Sequence, residues 1–187
     1  MDVWEAIEKR RTVRAFKKEV PEELLRKIIL AGSKAPTPGN SQPWEFIIVN
    51  DPNIIDKIAE QKYQMSIKVL KATEEDALRQ RRIYQNSSAV AMCYKKNGLA
   101  HVAAWLATQN MALAATAEGL GCVTSTPVGE HKEAIQKLLG LPEGYEVATV
   151  MVIGVPESIP KQREGGVERE DFSWLHINRF GNRKSGL

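Results

Sequence analysis

The chain has 187 residues, with 26 Lys and Arg against 23 Asp and Glu, a formal charge of +3. That length suits one domain with a sizeable core, residues 1–187, and so small a surplus demands neither nucleic acid nor an anionic membrane as partner. Cys93 and Cys122 stand in separate apolar runs and His101, His131 and His176 stand apart, which argues against a disulfide framework, an iron–sulfur or zinc site and any other bound metal.

The opening MDVWEAIEKR lacks the apolar run of a secretory signal, so a cytoplasmic protein is expected. Residues 2–11 carry Val3, Ala6 and Ile7 at helical spacing and run into a basic knot, Arg10-Arg11-Thr12-Val13-Arg14-Ala15-Phe16. Val13 and the threonine disfavour further helix, so the knot turns extended. Two readings stand for it. Forked guanidiniums beside a hydroxyl suit a phosphate monoester; cations at a helix C-terminus also simply complement its dipole, which is the plainer reading of the motif alone. Pro21–Ala31 is an amphipathic helix with Glu22 and Glu23 at its positive end.

Pro36, Pro38 and Gly39 fix a loop, Pro43 prevents an earlier strand start, and Trp44–Val49 reads as a buried strand. Asn40, Ser41 and Gln42 stand at its mouth, where such residues usually satisfy turn backbone. Asp51-Pro52 opens a helix through about Gln61. The stretch Gln64–Gln85 reads as a separate polar helix with a solvated charged face. Ser88–Tyr94 is a second buried strand, Cys122–Thr126 a short one ending at Pro127, Glu130–Leu139 a helix closed by Gly140, and Glu146–Ile153 a third core strand. Pro160-Lys161-Gln162-Arg163 forms a second basic cluster before an apolar tail, for which a partner subunit is a natural resting place.

Between the second and third of these strands lies Ala100–Glu118, with eight alanines, no glycine or proline and one acidic residue at its end, closed by Gly119. At about 1.5 Å per residue it spans roughly 28 Å. Its apolar positions keep to no single stripe, so it is expected to be buried nearly all round, its alanines packed close to another helix or a symmetry mate. Thr108, Gln109 and Asn110 in mid-window argue against a membrane span. Helices alternating with buried strands predict a mixed sheet covered on both faces. No Rossmann or P-loop glycine pattern succeeds any strand.

Taken together, four segments resemble the FMN-dependent nitroreductase family: RRTVRAF, APTPGNSQPWEF, the helix ending in GLGCVTSTP, and the GVP…PKQR…NRFGN tail. They span about residues 10 to 182. The resemblance implies an α+β three-layer sandwich with a mixed central sheet flanked by helices, intertwined as a homodimer with FMN between subunits. Residues from about 164 to 187 would reach across the partner. It further implies that Arg10, Arg11, Thr12, Lys161 and Arg163 surround the FMN phosphate and that Arg14 lies near N1 and O2 of the flavin. Pro36, Thr37, Pro38 and Asn40 would come from the other subunit. The Thr126 backbone would face N5, with Pro127 next in the chain. Thr12 replaces a frequent serine and keeps the hydroxyl. Larger members carry an Asn and a Lys by the flavin's pyrimidine side, positions that fall on Gln80 and Ile83 here.

The implied reaction is ping-pong hydride transfer from NAD(P)H through flavin N5 to a small oxidised acceptor, a nitroaromatic or a quinone. No side chain acts as acid or base, because the flavin carries the chemistry. Other readings are dehalogenation or ene reduction on the same scaffold, and a flavin-binding protein without enzymatic activity. A nucleic-acid module using RRTVR is disfavoured by the mild charge and the single nearby aromatic, Phe16.

Overall fold

A computed structural model describes residues 1–161 and 174–182. The chain runs α1 (Val3–Lys9), β1 (Phe16–Lys18), α2 (Glu22–Gly32), a 3₁₀ turn at Pro38–Asn40, β2 (Trp44–Val49), α3 (Pro52–Lys68), α4 (Glu74–Arg82) and β3 (Ser88–Lys95). It continues through α5 (Ala100–Ala117), β4 (Gly121–Ser125), α6 (Gly129–Leu138) and β5 (Tyr145–Pro156). The fold is α+β, with helices on both faces of one sheet.

β5 is the organising strand. It pairs with β3 along most of its length, with β4 through Gly121–Gly154 to Ser125–Val150, and with β1 at its last residues. β2 pairs with β3 at the other edge. All these ladders are antiparallel, and the parallel component expected of a mixed sheet reduces to one bridge, Thr12 to Cys122. The reason is topological. β3 and β4 run in the same direction across the α5 crossover, but β5 lies between them and pairs antiparallel with both.

Alternation along the strands divides the core into two layers. Val90, Met92, Met151 and Ile153 pack with Leu25 and Ile28 of α2 and with the α5 alanines. Ala89, Ala91, Val150 and Val152 pack on the opposite face with Ile58 of α3, Ile83 and Tyr84 after α4, and Ile135 of α6. The α2–α5 contact is close because both sides are small. A Cβ added at Gly32 would sit 2.7 Å from Met111 Cγ.

Two expectations change. The helix opened at Pro52 continues to Lys68, since no Gly or Pro interrupts it, and α4 starts afresh where the Thr73 hydroxyl caps the Asp76 amide at 3.2 Å. α5 is not buried all round within one chain. Ala103, Ala104, Ala107, Met111 and Ala115 are buried, whereas Val102, Trp105 and Leu106 are exposed by 42%, 41% and 43%. The alanine face fits the sheet and α2, leaving the larger residues outside. Among the described residues no helix is long and apolar enough to cross a membrane.

Candidate functional site

The basic knot is placed by its apolar neighbours. α1 ends at Arg10 (φ −57°, ψ 120°), and the chain leaves extended. Val13 and Phe16 are buried, and each lies on a glycine: a Cβ at Gly121 would come within 2.6 Å of Val13 Cβ, and one at Gly154 within 2.7 Å of Phe16 Cδ1. Gly121 and Gly154 are cross-strand partners, so the paired glycines form a seat for the segment. The Val13 amide donates to the Cys122 carbonyl at 3.0 Å and locks the register.

In extended chain, neighbours point to opposite sides. Arg10 and Thr12 line a cleft of about 150 Å³ with Trp105, Thr108 and Gln109 of α5 and Cys122 and Thr124 of β4. Arg11 turns away. Its Nη1 donates to the carbonyls of Glu8 and, at 2.9 Å, Arg10. With Lys9 and Lys161 it lines a broader cavity between α1 and the chain beyond β5. The five-residue group expected around one phosphate is therefore divided: Arg10 with Thr12 in one cleft, Arg11 with Lys161 in another. Arg163 lies outside the described residues.

Arg14 is exposed and has a neighbour that the sequence does not announce, Lys62 on α3. Burial, and then the charge of Arg14, hold the Lys62 ammonium below the ordinary lysine range. Lys62 falls just past Gln61, where the sequence pattern puts the helix end, and that conceals its facing. Gln80 is half-buried on α4, while Ile83 is in the core with Val13 and Ile58, so it presents nothing to a ligand.

After β4, Ser125 is buried and hydrogen-bonded to the Tyr84 hydroxyl, whose pKa burial pushes up to about 12. Exposed Thr126 and buried Pro127 follow directly in the chain. Pro36, Thr37, Pro38 and Asn40 do not line the Arg10–Thr12 cleft of their own chain. They form a loop shaped by positive φ at Gly39 (58°), Asn40 (54°) and Gln42 (42°). The Gln42 amide donates to Thr37 Oγ1 at 3.2 Å, and Gln42 Nε2 to Asn40 Oδ1 at 3.1 Å, the turn satisfaction expected of such residues.

Nucleophilic side chains are poorly activated here. Burial pushes the Cys122 thiol up to about 11 despite the opposing charge of Arg10, and the Cys93 thiol up to about 12. His131 is buried with Nδ1 3.0 Å from Gln61 Oε1, and His101 lies exposed on α5. The arrangement is therefore suited to binding an anion and orienting its attached group rather than to acid–base or covalent catalysis.

This fold has counterparts among known proteins. The sequence model of the nitroreductase family matches residues 7–155, and the chain belongs to that family. It is 30% identical over 191 residues to an NADH dehydrogenase of Thermus thermophilus, covering 87% of this chain and 92% of that one. It is 27% identical over 174 residues to an iodotyrosine deiodinase of Thermotoga neapolitana, covering 86% and 91%. A solved structure of oxidised iodotyrosine deiodinase bound to FMN and 3-iodo-L-tyrosine superposes with a TM-score of 0.73 at 25% identity, covering 89% and 96%.

Proposed function

We propose that this chain is an FMN-dependent oxidoreductase that works as a homodimer, moving a hydride from NADH or NADPH to a small oxidised acceptor such as a nitroaromatic or a quinone. The observation that carries this reading is the Arg10–Thr12 cleft, where a guanidinium and a hydroxyl converge beside an open wall. A phosphate accepts hydrogen bonds from both donors. At about 150 Å³ the cleft is smaller than the roughly 300–1,000 Å³ that encloses a ligand of flavin size. One chain thus supplies the phosphate end and one wall, and a second copy supplies the rest.

Exposed Trp105 lines that cleft and continues into Val102 and Leu106, and α1 adds exposed Val3, Trp4 and Ile7. Burying such a face is the natural driving force for association. In this reading Pro36, Thr37, Pro38 and Asn40 come from the second copy, and the residues from about 164 onward reach across it. Arg10 and Thr12 hold the phosphate, whereas Arg11 and Lys161 line the other cavity and contribute positive charge at longer range, with Arg163 assigned to the group by the resemblance alone. Arg14, with Lys62 beside it, places positive charge where negative charge collects on reduction. Thr126 offers backbone to the reacting edge, held by Pro127 and the Ser125–Tyr84 pair, and Gln80 belongs to the wall above. Bound FMN supplies the centre that accepts and gives the hydride, N5 of its ring.

An anaerobic spectrum of the purified protein, taken before and after NADH and then NADPH, tests this. Bleaching of flavin absorbance by either donor is expected. Flavin that stays oxidised with both would point to a carrier, and failure to take up FMN would sink the reading. Reductive dehalogenation on the same scaffold is the second reading, favoured by the end-to-end similarity to the Thermotoga neapolitana deiodinase. Iodide release from 3-iodo-L-tyrosine by the reduced protein, set against consumption of a nitroaromatic, separates the two.

A further inference from the structure

A cavity of about 720 Å³ opens elsewhere on the chain, between β1, the start of α3 and the end of α4. It shares no residue with the Arg10–Thr12 cleft. Lys17, Lys18, Arg81 and Arg82 line it against only Glu19 and Asp56, leaving a surplus of two positive charges. The cations are not equivalent. Arg81 is held at 2.9 Å from Asp56 and 3.6 Å from Glu60, so its charge is already met. Lys17, Lys18 and Arg82 make no ion pair among the described residues. Ile55, Ala59 and Leu78 supply its apolar lining, Ala59 buried and Leu78 37% exposed.

The geometry points to a second ligand site here, one that takes a small organic anion with a flat apolar body, of the nucleoside monophosphate class. Its size falls within the range of small-molecule pockets, and an apolar floor with a few converging charges is their usual construction. Lys18 and Arg82, with no carboxylate paired to them among the described residues, leave positive charge for an anion to meet, and the fork of Arg82 suits phosphate oxygens. Arg81 cannot replace them, but its two carboxylate partners fix it as a wall. The planar body of the ligand lies on Ile55 and Leu78, so neither the phosphate nor the base alone uses the whole site.

The test is calorimetric titration of the protein as purified with AMP, inorganic phosphate and adenosine. AMP binding is expected, with phosphate and adenosine each at least tenfold weaker. The double change Lys18→Gln with Arg82→Gln should weaken AMP at least tenfold, and Leu78→Glu, at a position already 37% exposed, should do the same without disturbing the core. Arg10→Ala should leave AMP binding intact, since that side chain belongs to the other cleft. No binding of AMP, or binding that survives both cavity variants but falls with Arg10→Ala, would overturn the inference.

Discussion

The two ends of β5 are held by different physics. At its start, Glu146 gathers a polar cluster: the Tyr94 hydroxyl donates to it at 2.8 Å, Lys96 lies at 2.8 Å, and Lys132 makes a close ion pair. At its end, Gly154 and its partner Gly121 receive Phe16 and Val13 with no room to spare. The first end depends on charge, which tolerates small displacements and weakens with salt and acid. The second depends on shape, where one added carbon atom has nowhere to go. The proposed phosphate-binding residues grow from the shape-dependent end, which positions Arg10 and Thr12 through rigid neighbours.

The sharpest way to break this contrast is Gly121→Ala. Its new methyl group would meet Val13 at 2.6 Å, and the cost should reach about 1–3 kcal/mol or more. Thermal unfolding should fall by many degrees, and flavin retention should fall with it because the knot is displaced. A normal melting temperature would show that Val13 is free to move. Arg10→Ala should instead leave the fold near its original stability in the apo form while removing most bound flavin, seen as loss of colour after gel filtration. Retained stoichiometric flavin would refute the role given to Arg10.

The charged end should respond to pH. Hydrogen bonds from Lys132, then Lys96 and Tyr94, hold the Glu146 carboxyl down at about 2 against an ordinary 4.5. Its contribution is fully present above the unfolded-state value and is lost as pH falls from about 4.5 through 2. Because the carboxylate remains partly open to solvent, the effect is on the order of 1 kcal/mol. Denaturation curves of the wild type and Glu146→Gln should therefore differ at neutral pH and converge in acid. The smallest effect belongs to Lys27–Glu118, an exposed pair at 2.7 Å. Lys27→Ala should shift stability by less than about 0.5 kcal/mol, and a larger shift would show that surface charge matters to the fold well beyond Glu146.

Much of this molecule is legible in its residues. The alanine-rich α5, the three long strands and the loop before Trp44 are local patterns of propensity and punctuation. So is the extended path after Arg10, because Val13 and Thr12 disfavour helix. The facing of Arg11 away from Arg10 and Thr12 is not, because the resemblance gathers all three round one phosphate and only the folded chain divides them. The antiparallel ladders are not legible, since the last strand enters between two earlier ones. Nor is the glycine seat, because Gly121 and Gly154 matter through residues more than a hundred positions away. Lys62 is hidden because the apolar pattern of α3 fades before the helix itself ends. Ile83 falls on the flavin side by alignment, yet packs in the core, because register across a helical hairpin is poorly fixed by sequence alone.

The loop through Gly39, Asn40 and Gln42 carries a consequence for association. Holding Asn40 and Gln42 at positive φ costs on the order of 1 kcal/mol each, offset in part by the Thr37 and Asn40 hydrogen bonds. That ordering takes place when the chain folds, before any second surface arrives. In the proposed dimer the loop would therefore meet its counterpart already shaped, and the entropy that a floppy loop would surrender on docking would be absent from the association step. Replacing Asn40 with a β-branched residue would move that burden to the docking step of the proposed dimer, making the encounter slower and the complex shorter-lived.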